Sequence, residues 1–233
     1  SVTGKKLLLR VNCGSQMHLE HQIEYEAHAL RLMEGSGRTP KVLYVDGSKK
    51  ILEHGVLVME YLPGHAMDYH TELMLAAPCL ADIHSVPIPE SEEILIHPQN
   101  PLKAILEECE EMFKVYLESP LGDGEKKTYI RELLDLGWKR EAEIQLESGY
   151  QCCINTELNS TNLLINGEGK SNYLIDWEKP LFGNPAQDLG HFLAPTTTFW
   201  KTDVILTSEE IEKFIAATGV EERRFADPDV CAS

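Results

Sequence analysis

Residues 155–178 read NTELNSTNLLINGEGKSNYLIDWE, and this stretch decides the fold. Two short runs rich in apolar residues, 162–165 and 173–175, are separated by a polar segment that contains two glycines. Apolar runs on either side of such a segment are typical of a β-hairpin. Oxygen-bearing side chains cluster around the start of the first run and just after the second, so a hairpin would bring the two clusters together.

The oxygen-bearing side chains at the two ends of this predicted hairpin suit a hard divalent cation. Glu157, Asn162 and Asp176 supply carboxylate and amide oxygens, which Mg²⁺ prefers, while water and phosphate complete its octahedral shell. The alternative is a polar hairpin in which the Asn and Asp side chains only cap turns. The residues by themselves favour neither interpretation.

Outward from the hairpin, the chain divides into a small β-rich part and a larger helical part. Strand-like apolar runs and one helix occupy residues 1–62, and Pro63-Gly64 ends this pattern. Residues 63–233 are mostly helical and contain the late hairpin, with two acidic helices at about residues 101–147. This order of elements predicts an α+β fold.

The charge of the chain excludes one class of partner. Its 233 residues carry a formal net charge of −17, from 21 basic and 38 acidic residues. A strongly acidic surface repels phosphate backbones, so no nucleic-acid partner is expected. Such a surface either attracts a cationic small ligand or only keeps the protein soluble.

The cysteine content and the apolar runs indicate the compartment. Six cysteines are too few for a disulfide scaffold, and none forms a CxxC pair, which is typical of a reducing cytosol. No apolar run approaches the roughly 18 residues of a membrane span, so no membrane partner is expected. We therefore predict a cytoplasmic protein, and we predict no particular oligomeric state.

Two motifs resemble those of the aminoglycoside phosphotransferase/choline kinase family, whose members are relatives of the protein kinases. Leu174-Ile175-Asp176-Trp177-Glu178 is similar to the metal segment of that family. Gly183-Asn184-Pro185-Ala186-Gln187-Asp188-Leu189 resembles its Gly-x-Pro-x-x-Asp-Leu segment. The spacing from Glu157 to Asn162 is also the spacing in the catalytic loop of the family.

The resemblance covers about residues 7–217 and implies a two-lobed protein-kinase-like fold. The N-lobe, residues 1–62, would bind the nucleotide. The C-lobe, residues 63–233, would carry the catalytic loop, the metal site and a helical acceptor-binding insert at about residues 101–147. The glycine-rich strand pair of the family should precede Arg10 and is not found there, so we expect either an incomplete N-lobe or an open site.

The resemblance also implies which residues hold the nucleotide. Arg10 stands where the family has the cation that pairs with the phosphates, and Glu26 resembles the helix glutamate that positions this cation. The stretch that contains Glu60 and Leu62 is similar to the kinase hinge. The backbone of these two residues would therefore meet the adenine of ATP.

In the catalytic loop and metal segment, the resemblance implies that Asn162 and Asp176 bind Mg²⁺ and that Asp188 braces the loop. Glu157 would orient and deprotonate the acceptor hydroxyl. The chain departs from the family at two positions, since Asn155 replaces a histidine and Glu157 replaces an aspartate. The second change keeps the carboxylate but extends its side chain by one methylene group.

The expected function is ATP- and Mg²⁺-dependent transfer of a phosphoryl group to a hydroxyl of a small molecule. The acidic helices of the insert suit an amine-bearing acceptor, such as an aminoglycoside or an amino alcohol, or they form only a solvated face. The two departures in the catalytic loop leave an alternative. The chain would then be a catalytically inactive, kinase-like module that binds a nucleotide or a partner protein.

Overall fold

The computed structural model describes residues 4–15, 17–50, 52–144 and 149–220, and it confirms the α+β fold. Its strands are β1 (Leu7–Asn12), β2 (Val42–Asp46), β3 (Gly55–Glu60), β4 (His65–Ala66), β5 (Cys152–Ile154), β6 (Leu163–Ile165), β7 (Tyr173–Leu174) and β8 (Leu181–Gly183). Its helices are α1 (Gln22–Met33), α2 (Leu73–His84), α3 (Pro101–Glu118), α4 (Gly124–Glu143), α5 (Ala186–Leu193), α6 (Pro195–Lys201) and α7 (Ser208–Thr218). Residues 1–3, 16, 51, 145–148 and 221–233 of the predicted lobes and insert lie outside the described residues.

The described residues form two compact units. One unit contains the residues up to 97 together with those from 149 onward, and the other contains residues 98–148. The second unit coincides closely with the helical insert expected at about residues 101–147. The predicted boundary between the lobes after residue 62 falls within the first unit and stays a prediction.

A three-stranded antiparallel sheet in the order β1-β3-β2 carries Arg10 on its edge strand β1. Helix α1 packs beside this sheet through Ile23, Ala27 and Leu30, which are buried and recur at helical spacing. The burial of this apolar stripe fixes the helix against the sheet. As a result, Glu26 of α1 lies next to Arg10 of β1.

The predicted hairpin is present as β6 and β7, which pair antiparallel with Leu163 opposite Leu174. Its turn uses Gly167 and Gly169 at φ angles of 107° and 70°, a region of backbone space that glycine enters without steric cost. Strand β4 pairs with the other edge of β6. Because β6 and β7 are antiparallel, the residues just before β6 lie beside the segment that begins at Ile175, just after β7.

A second pair of strands positions the start of the predicted catalytic loop, residues 155–162. β5 and β8 pair antiparallel, with Cys152 opposite Gly183 and Ile154 opposite Leu181, so the loop after β5 begins beside the residues that lead into β8. Cys153 of β5 belongs to the same hydrophobic core as Trp177 and Phe192, which are both almost fully buried. The buried strand and helix give the loop a rigid base.

The unit of residues 98–148 is a pair of helices, α3 and α4, joined by a short turn. Asn100 and Asp123 cap the two helix N-termini by accepting backbone N–H groups. The Arg131 guanidinium of α4 binds both carboxylate oxygens of Glu110 of α3, and the Trp138 ring N–H donates to the same carboxylate at 3.0 Å. Across the described residues, no helix is both long and apolar enough to cross a membrane.

Candidate active site

Asp188 of α5 holds the beginning of the catalytic loop. Its carboxylate accepts the backbone N–H of Asn155 at 2.9 Å and that of Thr156 at 2.7 Å. The same carboxylate lies 2.9 Å from His84 Nε2, and the side chains of Asp188 and His84 are both fully buried. The expectation that Asp188 braces the loop is therefore confirmed.

Asn155, which replaces the histidine of the family, connects the catalytic loop to the metal segment. Its side-chain amide donates to the Asp176 carbonyl at 2.7 Å, and its side-chain oxygen accepts the Glu157 N–H at 3.1 Å. The residue is fully buried. One amide group thus sets the distance between the backbones of the expected base and the expected metal ligand.

Asn162 ties the two ends of the hairpin together. Its side-chain amide donates to the Glu157 carbonyl at 3.1 Å, and its own carbonyl accepts the Ile175 N–H at 2.9 Å. The structure therefore brings Glu157, Asn162 and the residue before Asp176 into one hydrogen-bonded network. The backbones that carry Glu157, Asn162 and Asp176 therefore lie close together, as the hairpin pattern predicts.

Two residues of this network have backbone conformations that are uncommon for side chains larger than glycine. Thr156 has a φ of 68° and Asp176 a φ of 64°. Each is held by its surroundings: the Thr156 hydroxyl donates to the Lys179 carbonyl at 2.7 Å, and the Asp176 carbonyl accepts from Asn155. Such conformations cost energy and occur preferentially at functional sites.

Arg10 lies among three carboxylates. Its guanidinium lies 2.8 Å from Glu26, 3.1 Å from Asp176 and 2.5 Å from Glu178. Burial disfavours the charged form, yet these three carboxylates raise the pKa of Arg10 above its ordinary value. One positive charge facing three carboxylates leaves an excess of negative charge that a bound cation would neutralise. We call Arg10, Glu26, Asp176 and Glu178 the Arg10 cluster.

Asp176 of the Arg10 cluster and the nearby Asn162 supply oxygen atoms that fit Mg²⁺. The Asp176 carboxylate is 36% exposed, so water and phosphate oxygens could complete a metal shell there. The amide nitrogen of Asn162 is used by the Glu157 carbonyl, which makes the amide oxygen the atom able to ligate a metal. No group of three or more His, Cys, Asp or Glu side chains suited to a metal occurs in the described ranges, so this site would depend on substrate oxygens.

The expected adenine-binding residues lie at the end of β3. Glu60 pairs with Leu7 of β1 in the sheet register, and its N–H donates to the Lys41 carbonyl at 2.9 Å. The backbone N–H of Glu60 is therefore already used within the protein. Within the described residues, no hydrogen bond connects Glu60 or Leu62 to the Arg10 cluster.

Sequence reasoning missed the role of Glu178. The residue belongs to the quoted metal segment, but only its contact with Arg10 shows that it completes the cluster. A second acidic residue two positions after Asp176 is the signal that could have identified it. The predicted pairing of Arg10 with Glu26 is present in the structure, whereas the assignment of both to nucleotide binding stays a prediction.

The ionisation of Glu26 gives a testable pH dependence. Burial raises the pKa of Glu26 to about 7, although Arg10 opposes this effect. The folded protein therefore retains a proton that the unfolded chain releases near pH 4.5, so the free energy of unfolding should decrease from about pH 4.5 to about pH 7. Urea unfolding over this range should show that decrease in the wild type, a flatter profile in Glu26→Gln, and no flattening in Glu24→Gln, a control on the same helix whose side chain is 42% exposed. Parallel profiles for the wild type and Glu26→Gln would contradict the assignment.

Comparisons with known proteins agree with this geometry. The model of the phosphotransferase enzyme family (APH) matches residues 2–228. Among solved structures, AMP-bound spectinomycin phosphotransferase has a TM-score of 0.61 and 18% identity, over 93% of this chain and 71% of the other. Choline kinase LicA from Streptococcus pneumoniae has a TM-score of 0.63 and 19% identity, over 98% of this chain and 72% of the other.

An ethanolamine kinase from Plasmodium vivax is also similar. It has a TM-score of 0.66 and 17% identity, over 92% of this chain and 61% of the other. The chain therefore spans somewhat less than two thirds of the length of that kinase. Among curated proteins, no significant match is found. At these identities, the solved structures establish the kinase-like fold, and the family match extends over nearly the whole chain.

Proposed function

Because the chain belongs to the phosphotransferase enzyme family, we propose that it uses ATP and Mg²⁺ to phosphorylate a hydroxyl group of a small molecule. The observation that supports this proposal most is the Arg10 cluster, where a guanidinium and three carboxylates meet beside a braced catalytic loop. A cation paired with carboxylates, next to an Asn and an Asp, is the arrangement that positions and neutralises a triphosphate.

In this proposal, each part of the nucleotide has a separate binding group. Arg10, held by Glu26, binds the nonreacting phosphates, and Asn162 and Asp176 hold Mg²⁺. When bound, the metal neutralises negative charge on the phosphates. The backbone carbonyl of Glu60 and the N–H of Leu62 receive the adenine. Under this assignment, residues 1–62 form the nucleotide-binding lobe and residues 63–233 the catalytic lobe.

Glu157 positions the acceptor for transfer. Its carboxylate accepts a hydrogen bond from the acceptor hydroxyl and takes its proton as the oxygen attacks the γ-phosphorus. A bond forms between the acceptor oxygen and phosphorus while the bond from phosphorus to the β,γ-bridging oxygen breaks, so ADP leaves. Asn155 accepts the backbone N–H of Glu157 and Asn162 donates to its carbonyl, which fixes the point of the loop from which the side chain extends.

We propose an amine-bearing acceptor. The net charge of −17 favours a cationic substrate, and choline and ethanolamine kinases are among the similar structures. The acidic pair α3 and α4 is the proposed acceptor-binding insert. Within it, the Glu110 carboxylate is already bound to Arg131 and Trp138. Arg131, together with the Trp138 N–H, lowers the pKa of Glu110 to about 2, so this carboxylate stabilises the helix pair and does not serve the acceptor.

A phosphotransfer assay on the full chain tests the proposal. ATP or GTP is supplied with Mg²⁺ or with EDTA, and the acceptors are choline, ethanolamine, spectinomycin and glucose, which lacks an amine. We expect Mg²⁺-dependent transfer from ATP to an amine-bearing acceptor. Because Glu157 replaces an aspartate, a nucleotide-binding module without turnover is the second candidate, and it predicts Mg²⁺-dependent ATP binding without transfer to any acceptor.

The length of the Glu157 side chain should matter for turnover. Since the loop backbone is held by Asn155 and Asn162, it cannot follow a shortened side chain, and Glu157→Asp should lower kcat by about tenfold. Glu157→Gln, which removes the base, should lower kcat by about a hundredfold or more. Steady-state kinetics measure both, with Glu168→Asp in the exposed hairpin turn as a control. Unchanged kcat in Glu157→Gln would remove this residue from the mechanism.

A further inference from the structure

Helix α1 carries a buried polar face on its N-terminal half. Gln22, Tyr25 and Glu26 are 4%, 6% and 1% exposed, and their spacing of three and four residues places them on one side of the helix. Buried polar groups are costly unless they form hydrogen bonds. We call these three residues the polar face of α1, and the partners of each residue show what the face does.

Two residues of this face hold the backbone just after the metal segment. The Gln22 side-chain amide donates to the Glu178 carbonyl at 2.6 Å, and the Tyr25 hydroxyl donates to the Pro180 carbonyl at 2.6 Å. Glu178 is therefore bound at two points, since its carboxylate lies 2.5 Å from Arg10. These contacts fix the chain two and four residues beyond Asp176.

Tyr25 also joins a third segment to this junction. Its hydroxyl oxygen accepts the Ile96 N–H at 3.1 Å, and the Ile96 carbonyl in turn accepts the Phe182 N–H at 2.9 Å. One buried hydroxyl thus satisfies a carbonyl of the segment after Asp176 and an N–H of the segment before residue 98. Burial raises the pKa of Tyr25 to about 12, so this hydroxyl keeps its proton at neutral pH.

Together, these contacts connect α1 to the metal segment and the residues just after it by two routes, one through Arg10 and one direct. Glu26 of α1 binds Arg10, and Arg10 binds Asp176 and Glu178. Gln22 and Tyr25 of α1 also bind this stretch of chain directly, through the carbonyls of Glu178 and Pro180. The helix therefore cannot move away from this stretch of chain without breaking both hydrogen bonds and separating Arg10 from Glu26 or from Asp176 and Glu178.

We propose that Tyr25 and Gln22 are positioning residues for phosphoryl transfer. They hold α1 against the backbone after Asp176, so that the Arg10–Glu26 pair and Asp176 keep their relative positions. This inference rests on the proposed function. A merely structural role would stabilise the fold but would leave the turnover of the folded enzyme unchanged.

Tyr25→Phe tests the inference, and Tyr69→Phe is its matched control. Tyr69 is also buried, and its hydroxyl donates to the Phe192 carbonyl at 2.9 Å. Each change removes one hydroxyl that donates to a backbone carbonyl, but only that of Tyr25 binds the stretch of chain that follows Asp176, residues 177–180. Gln22→Leu is the second variant, because it removes the other contact to this segment.

The assay measures urea unfolding and steady-state kinetics for wild type and variants. We expect Tyr25→Phe to lose more stability than Tyr69→Phe, because it leaves both the Pro180 carbonyl and the Ile96 N–H without the hydroxyl. Only Tyr25→Phe and Gln22→Leu should lower kcat, by about tenfold to a hundredfold, while the KM for the acceptor stays within about twofold. Equal kcat values for Tyr25→Phe and Tyr69→Phe would overturn the inference and leave the proposed function standing. A wild type that transfers no phosphate would overturn both.

Discussion

Replacing Asp176 with asparagine is expected to reduce kcat by about a thousandfold and to abolish the dependence of ATP binding on Mg²⁺. The change removes a carboxylate that is proposed to hold the metal and that lies 3.1 Å from the Arg10 guanidinium. Asparagine has nearly the same shape, and the backbone at this position is held through its carbonyl by Asn155. The loop should therefore keep its conformation while the site loses its charge.

The matched control for this prediction is Asp82→Asn. Asp82 lies 2.8 Å from Arg38, in an ion pair that shares no residue with the Arg10 cluster. About half of the Asp82 side chain is exposed. The control makes the same chemical change and should leave kcat within about twofold, since exposed ion pairs contribute little. Calorimetric titration of ATP and steady-state kinetics measure both effects. Wild-type turnover in Asp176→Asn would contradict the role of this residue.

Asp188→Asn should cause the largest loss of stability. Its fully buried carboxylate accepts two backbone N–H groups and lies 2.9 Å from a fully buried His84. The side-chain NH₂ group of an asparagine would face one of the N–H groups that the Asp188 carboxylate now accepts, so a buried N–H would lose its acceptor. Breaking such a buried pair costs about 3–5 kcal/mol, a large part of the roughly 5–15 kcal/mol that stabilises a typical domain.

Urea unfolding measures this loss, and Asp203→Asn is its control. Asp203 also pairs with a histidine, at 2.7 Å from His70, but its side chain is 84% exposed. The control should change stability by less than about 1 kcal/mol. If Asp188→Asn lost no more stability than Asp203→Asn, the brace would be dispensable. Activity measured below the unfolding transition should also decrease, because the loop would lose two backbone contacts.

The parts of the fold that could be predicted are those determined by local sequence. The alternation of apolar runs and glycines was sufficient for the β6–β7 hairpin, and the helical spacing of apolar residues was sufficient for α1. The family motifs also identified the partners Arg10 and Glu26 and the brace Asp188. In each case, the decisive information lies in a short motif.

Contacts between distant segments could not be predicted in the same way. Asn155 was noted only as a departure from the family, because nothing local indicates that its amide reaches both Glu157 and Asp176. The capping residue of α7 illustrates a local ambiguity. The pattern of Ser208 followed by acidic residues predicts Ser208 as the N-cap, and this prediction is wrong: Thr207 caps the helix and forms a capping box with Glu210. Two adjacent hydroxyl residues satisfy the same preference, so the geometry decides.

The most direct test of the central claim is a calorimetric titration of ATP into the full chain, once with Mg²⁺ and once with EDTA. The account predicts saturable one-to-one binding with Mg²⁺ that becomes much weaker with EDTA, and loss of the Mg²⁺-dependent part in Asp176→Asn. Binding of equal affinity in Mg²⁺ and EDTA, or no binding in either, would contradict the claim that the Arg10 cluster and Asn162 form a metal–nucleotide site.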